Sequence, residues 1–385
     1  MSDRLSAQIE FLKRADSLKS VDRANFLLDQ SRPENAAEHS WQLALWALVM
    51  QPLADEAVCI NRVIRMLLLH DLVEIVVGDH PIHLKTDWNA VEQAEQAAAV
   101  EVFGLLPSDQ ATECLHLWRE FEADQTPDAR FAKYLDRCQP MFQVLCAPHA
   151  NPDHLTIVQE NLSSGRAAYL ESEFPDAYSA AQSLLNGHPP AETEFSIRLG
   201  FLAETDKLKS VYRASRLLSG HRRENSAEHS WHIMIFAWIL SGQAAPDVSI
   251  DRVLQMLLLH DIVEIDAGDH PIHGQVDHAA QEAEEQAAAE RLFGLLPSEQ
   301  KAEFLSLWQE FEAADSPDAR FAKAVDRFQA PVGNLATDGG TWADYNVTLA
   351  QIDQRVGVPI RRGAPGLWAW LKPQLDTYFA TTVST

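Results

Sequence analysis

Met66-Leu67-Leu68-Leu69-His70-Asp71 is an apolar run that stops on two ionisable side chains, and it returns as Met256-Leu257-Leu258-Leu259-His260-Asp261. The offset of 190 holds outward in both directions. Glu34-Asn35-Ala36-Ala37-Glu38-His39-Ser40-Trp41 returns as residues 224–231 with one change, Ala36 to Ser226. Phe103-Gly104-Leu105-Leu106-Pro107-Ser108 returns as residues 293–298, and Pro127-Asp128-Ala129-Arg130-Phe131-Ala132-Lys133 as residues 317–323. No gap is needed between positions 11 and 140. A period this long is a whole domain, not a solenoid unit. The 385 residues are too many for one ordinary core and suit two domains of about 190. The stretch Asn186-Gly187-His188-Pro189-Pro190 breaks helix and suits a linker. The domains are therefore expected at 1–188 and 189–385.

The local signals are helical. Residues 60–69 are apolar on most faces, as in a buried helix. Residues 92–103 are rich in Ala, Glu and Gln, stop at Gly104 and are followed by a fresh start at Pro107. Leu115, Leu117, Trp118 and Phe121 form one broad stripe, and Pro127 fits a first helical turn leading to Asp136. The two tails differ in sequence, yet both read as helix. No run of alternating β-branched residues reaches strand length. The fold class is all-α: two tandem helical bundles, each of about six or more helices.

Charge and cysteines narrow the function. A formal net charge of -25 repels nucleic-acid backbones and anionic membrane surfaces, which excludes polymeric nucleic acid as a partner. A small anion remains acceptable where a metal and an arginine reverse the sign locally. Cys59, Cys114, Cys138 and Cys146 contain no CxxC pair and read as reduced thiols of a cytoplasmic protein. The first ten residues are polar and make no secretion signal, and stretches such as residues 43–50 are far shorter than the roughly 20 residues of a membrane helix.

His39, His70, Asp71 and Asp136 form a candidate metal site, with His229, His260, Asp261 and Asp326 as counterparts. Two imidazoles and two carboxylates suit a divalent first-row ion such as Mn, Fe, Co, Ni or Zn, one per domain. Four protein ligands on an ion that takes six leave room for water and a substrate oxygen, so the ion could polarise a phosphoryl group and acidify water. A charged residue appended to a buried apolar run is costly unless paired, which argues that Asp71 has a partner. Glu74 shares the helical face of His70 and Asp71 and is placed as a general acid or base. Gly78-Asp79 follows where the helix should end, so that Asp79 reaches back into the pocket. Glu264, Gly268 and Asp269 repeat this arrangement. The bland alternatives are a capping His-Asp pair and satisfied core histidines. Here the signals occur together, in order and twice, although duplication makes the second copy weaker evidence.

These residues resemble the HD-domain superfamily, in the branch of the 5′-deoxynucleotidases and related small HD-domain proteins. The likeness lies in His39, the His70-Asp71-x-x-Glu74 run, Gly78-Asp79, Leu117-Trp118-x-Glu120-Phe121-Glu122 and Lys133-x-x-Asp136. It covers about residues 8–145 and 198–335. It implies two tandem HD-type bundle domains and removal of phosphate from a nucleoside 5′-monophosphate with a divalent ion. In that case His39, His70, Asp71 and Asp136 are ligands, Glu74 assists proton transfer, and Asp79 sits near the sugar or the attacking water. Arg23 and Arg213 match the family's phosphate-binding arginine, a role that suits a bidentate donor. Single-domain relatives commonly dimerise, so the halves are expected to pack as a pseudo-dimer.

Two departures stand out. Ala24 and Ala214 replace the tryptophan that disfavours a ribose 2′-hydroxyl, which leaves sugar preference open. His80 and His83, with His270 and His273, bring extra imidazoles that could bind a second metal, line a base pocket or lie at the surface. The leading expectation is a metal-dependent phosphohydrolase acting on a small phosphomonoester. The alternatives are a nucleotide-binding scaffold with silent HD sites and a dinuclear HD phosphodiesterase or oxygenase. Glu92, Glu95 and Glu101 read as a solvated acidic face, Trp41, Trp118, Trp231 and Trp308 as core, and Lys133 and Lys323 as partners of the aspartates, of phosphate or of solvent.

Overall fold

The computed structural model describes residues 2–81, 86–272, 274 and 277–382. The first half runs α1 (Ser2–Ala15), a ribbon of β1 (Asp22–Phe26) and β2 (Pro33–Asn35), then α2 (Ala36–Met50), α3 (Ile60–Leu69), α4 (Glu74–Val77), α5 (Trp88–Phe103), α6 (Ser108–Ala123) and α7 (Pro127–Leu145). Its tail adds α8 (Pro152–Ser163), α9 (Leu170–Glu173) and α10 (Pro175–Leu185). The second half repeats the plan as α11 (Glu194–Thr205), β3 (Tyr212–Arg216), β4 (Arg223–Asn225), α12 (Ser226–Ile239), α13 (Ile250–Leu259), α14 (Glu264–Ala267), α15 (His278–Phe293), α16 (Ser298–Ala313) and α17 (Pro317–Ala336). Its tail differs: α18 (Leu349–Ile352), α19 (Val358–Gly363) and α20 (Pro365–Thr382).

The central helix of each half starts at a reciprocal cap. The Asn35 side chain accepts from the backbone N–H groups of Ala37 and Glu38, and the Glu38 carboxylate accepts from the N–H of Asn35 at 2.9 Å. Every residue of α2 is buried, as expected of a helix that is apolar all round. Its polar members, Glu38, His39 and Gln42, therefore need partners inside the protein. Gly104 ends α5, Pro107 precedes α6 and Pro127 opens α7, each where local chemistry placed it.

The ribbons depart from the all-helical reading. Asp22 pairs with Asn35 and Phe26 with Pro33, antiparallel, and Tyr212 pairs with Asn225 in the second half. Asp22-Arg23-Ala24-Asn25-Phe26 contains no β-branched residue, so its strand character comes from its packing against α7 rather than from its own propensity.

Across the middle of the chain, α2 lies against α12. The Trp231 indole N–H donates to the Leu68 carbonyl at 3.2 Å, and the Gln8 amide to the Ile239 carbonyl at 2.7 Å. The buried apolar residues of both halves form one continuous cluster. Among the described residues, no helix is long and apolar enough to cross a membrane.

Candidate metal centre

Four elements of each half converge on the site. In the first half α2 carries His39, a 3-10 turn after α3 carries His70 and Asp71, α4 opens with Glu74, and α7 carries Asp136. Helix α4 stops at Gly78, whose φ of 77° favours glycine and turns Asp79 back toward Arg23. Arg23 stands on β1, not on a helix, so the ribbon missed by the sequence reading is what delivers the arginine.

The four expected ligands meet. His39 Nε2 lies 3.2 Å from Asp136 Oδ1, and His70 Nε2 lies 3.1 Å from Asp71 Oδ1 and 3.9 Å from Asp136 Oδ1. In the second half His229 Nε2 is 3.2 Å from Asp326 Oδ1 and His260 Nε2 is 2.9 Å from Asp261 Oδ1. Ligand atoms of His39, His70 and Asp136, and of His229, His260 and Asp261, lie close enough to share one ion.

The histidine chemistry fits a metal. Nδ1 of His70 and of His260 each lies 2.8 Å from a backbone carbonyl, of Leu67 and Leu257, and donates its proton there. That leaves Nε2 with a lone pair, and both Nε2 atoms are buried without a hydrogen-bond partner. An orphaned acceptor beside carboxylates is costly unless a cation completes it. The indole N–H of Trp118 donates to the His70 carbonyl at 3.1 Å and steadies the turn. Trp118 is thus both core and support, while Trp41 and Trp231 are wholly buried.

Electrostatics separate the carboxyls by role. Burial opposes ionisation of Asp136, but His39 and His70 hold it well below the usual carboxylate range. Burial, reinforced by Asp71, pushes Glu74 well above its ordinary value against the pull of Arg23, and Asp79 is raised by burial too. Glu264 is raised for the same reasons. Arg23 Nη1 bonds Asp71 Oδ2 at 2.8 Å and lies 4.0 Å from Glu74 and 3.9 Å from Asp79. Arg213 holds Asp261 at 2.9 Å in the same way. The arginine that the resemblance assigns to phosphate is therefore first a partner of a ligand aspartate.

Other expectations fall where the structure puts them. Lys133 pairs with Glu122 at 2.9 Å and sits 3.8 Å over the Phe121 ring, and Lys323 repeats this with Glu312 and Phe311. Both line the cavity without touching the aspartates. Glu92 and Glu101 are exposed, whereas Glu95 is half-buried. Nδ1 of His80 lies 3.1 Å from the Gly78 carbonyl, and His80 and His270 line the two cavities. His83 and His273 lie outside the described residues.

The sequence reading assigned no role to Glu34 and Glu224. Glu34 Oε2 lies 3.6 Å from His39 Nδ1, and Glu224 Oε2 lies 3.4 Å from His229 Nδ1. Each is gripped by a lysine from the opposite half: Lys209 to Glu34 at 2.6 Å, and Lys19 to Glu224 at 2.6 Å. Asp16, Glu224 and His232 form a third group with metal-like spacing, but the Lys19 ammonium sits within it, 2.6 Å from each carboxylate and 2.8 Å from His232 Nδ1. The only sequence signal was that Lys19 and Glu34 recur at the 190 offset as Lys209 and Glu224.

A helical bundle with paired histidines and aspartates around an orphaned imidazole is the arrangement of an HD-type domain, here present twice. The HD-domain family model matches residues 15–178 and again 205–368, and the chain belongs to that family as a tandem duplication. It is similar to 5′-deoxynucleotidase HDDC2 of Homo sapiens, 30% identical over 136 residues, which are 35% of this chain and 65% of that protein. HDDC2 of Xenopus laevis is 32% identical, over 36% of this chain and 67% of the relative. The chain thus spans about two thirds of the length of these curated relatives. A solved structure from Magnetospirillum magnetotacticum MS-1, described as a predicted metal-dependent phosphohydrolase, is 46% identical; the match covers 49% of this chain and 95% of that one, with a TM-score of 0.47.

Proposed function

We propose that this chain is a metal-dependent phosphohydrolase that releases phosphate from a small phosphomonoester, a nucleoside or deoxynucleoside 5′-monophosphate. The observation that carries the reading is the buried, unpartnered Nε2 of His70 and of His260, each facing carboxylates. His39, His70, Asp71 and Asp136, with His229, His260, Asp261 and Asp326, would hold one divalent ion per domain, of the Mn, Fe, Co, Ni or Zn type. Such an ion polarises a phosphoryl oxygen and acidifies water. The substrate class rests on the similarity to proteins named 5′-deoxynucleotidase.

The chain's own residues supply the rest. Arg23 and Arg213 bind the phosphate dianion and stay charged at any working pH. Glu74 and Glu264, with pKa values raised by burial, take a proton from the attacking water and return it to the leaving oxygen. Asp79 and Asp269 position the sugar or that water. The domains are taken as 1–188 and 189–385, packed as a pseudo-dimer; the pairing of α2 with α12 supports this. The protein works in the cytoplasm, where its unpaired cysteines stay reduced.

The test is direct. Protein stripped of metal and refilled with Mn or Co is expected to release phosphate from nucleoside monophosphates, and the double variant H70A/H260A to release none. No phosphate from a broad nucleotide panel defeats the reading.

A further inference from the structure

The two sites share a floor and differ in the roof. Arg23, Asp79, Lys133 and Asp136 line the first cavity, and Arg213, Asp269, Lys323 and Asp326 line the second at the same places. Beyond α7 and α17 the chain takes two courses. In the first half α8 and the turn after it form the roof, bringing His154, Ile157, Asn161 and Arg166 to a cavity of about 530 Å³. In the second half the 3-10 turn Gly340–Trp342 folds inward, and Thr341, Trp342, Tyr345 and Val356 leave about 210 Å³.

The second roof is anchored. Trp342 is only 4% exposed, with its ring centroid 5.2 Å from that of Tyr378 and 5.3 Å from that of Phe379 on α20. The Asn334 side-chain oxygen accepts from the Thr341 backbone N–H at 3.2 Å and ties the turn to α17. Size then decides between the two. Small-molecule pockets run from about 300 to 1,000 Å³. The first cavity lies inside that range and the second below it. The linings differ as well: His154, Asn161 and Arg166 reach the first cavity with hydrogen-bonding groups and a flat cation, whereas Thr341, Trp342 and Tyr345 occupy the corresponding side of the second and narrow it.

We propose that the two halves take different substrates: the first a phosphomonoester carrying a heterocyclic base, the second a compact phosphomonoester without one, of sugar-phosphate size or smaller. This rests on the phosphohydrolase reading of both floors. Each turnover is a hydrolysis: a P–O bond forms from water, the ester P–O bond breaks, and the water proton passes to the leaving alkoxide.

A matched pair of substrates isolates the base, namely deoxyadenosine 5′-monophosphate and deoxyribose 5-phosphate. Full-length H260A, with only the first site intact, is expected to hydrolyse the nucleotide. H70A, with only the second intact, should hydrolyse the sugar phosphate and fall at least about 100-fold below H260A on the nucleotide. Equal selectivity in the two variants overturns the proposal, as does an H70A protein silent on both substrates. Tyr345 is 36% exposed and can be trimmed without opening the core. H70A/Y345A should then gain nucleotide hydrolysis by about tenfold or more, and no gain argues against the roof. Should wild type hydrolyse neither compound, the phosphohydrolase reading fails instead. Calorimetry with metal-loaded variants then decides the size difference separately: nucleotide binding to H70A as tight as to H260A overturns it.

Discussion

Glu74 and Glu264 occupy equivalent positions but differ in one contact. Oε2 of Glu264 accepts a hydrogen bond from the Ser226 hydroxyl at 2.5 Å, while Oε2 of Glu74 is buried with no partner, because Ala36 stands where Ser226 does. A buried carboxyl beside Asp71 holds its proton more tightly than an exposed one, and this suits it to proton transfer. Glu74→Gln, made in the H260A background so that only the first site reports, is expected to lower kcat by about 10²- to 10⁴-fold while cobalt still binds. Unchanged turnover would remove Glu74 from the mechanism. His70-Asp71-x-x-Glu74 was legible because one turn of chain carries it, and local spacing then fixes which side chains share a face. The unpartnered state of its imidazole was not, since that depends on every element packed around it.

At the scale of elements, the helices announced themselves through caps and breakers, and the ribbons did not. Gly104, Pro107 and Pro127 act on their own backbone, so their effect needs no tertiary partner. Asn35 does more than cap α2. Its Nδ2 reaches Glu228 of the second half at 3.0 Å, and Asn225 reaches back to Glu38. The two helix starts are thereby joined across the boundary. Burial, with Glu38 adding to it, raises the Glu228 carboxyl to about 7 although Arg222 opposes this. A folded-state value above the ordinary one means that the contact is strongest with Glu228 protonated, below the ordinary carboxylate range, and weakens as pH rises through about 7. Cutting a protease site engineered at residues 187–190 should therefore leave the halves associated on a sizing column, more tightly at pH 5.5 than at pH 8 by about tenfold. Free separation at both pH values would show that α2 and α12 do not hold the halves together.

The whole molecule crosses its own support between sites. Lys209, wholly buried, bonds Glu34 of the first half together with Asp206 and Gln42, and Glu34 stands behind His39. Lys19 does the same for Glu224 behind His229. His39 Nδ1 donates to the Gln139 amide oxygen at 3.0 Å, and the Glu34 carboxylate stands 3.6 Å away as a second, electrostatic partner; such groups behind metal-binding histidines orient the ring and raise its basicity, and their loss costs about 10- to 100-fold in metal affinity. Glu34→Gln, which leaves the buried Lys209 paired with Asp206, should weaken cobalt binding at the first site by that factor and leave the second within about twofold. Visible absorption of cobalt in the H70A and H260A backgrounds reads each site alone, and equal losses at both would mean a general loss of stability. The amino-acid sequence by itself determined the duplication and the helical class and named the eight His and Asp candidates, because repeats, caps and short motifs are properties of neighbouring residues. Tertiary structure alone decided that each half lends a lysine to the other and that the second cavity is smaller than the first. Those features join residues some 175 to 205 positions apart, or turn on how two unlike tails pack, and no local spacing encodes either.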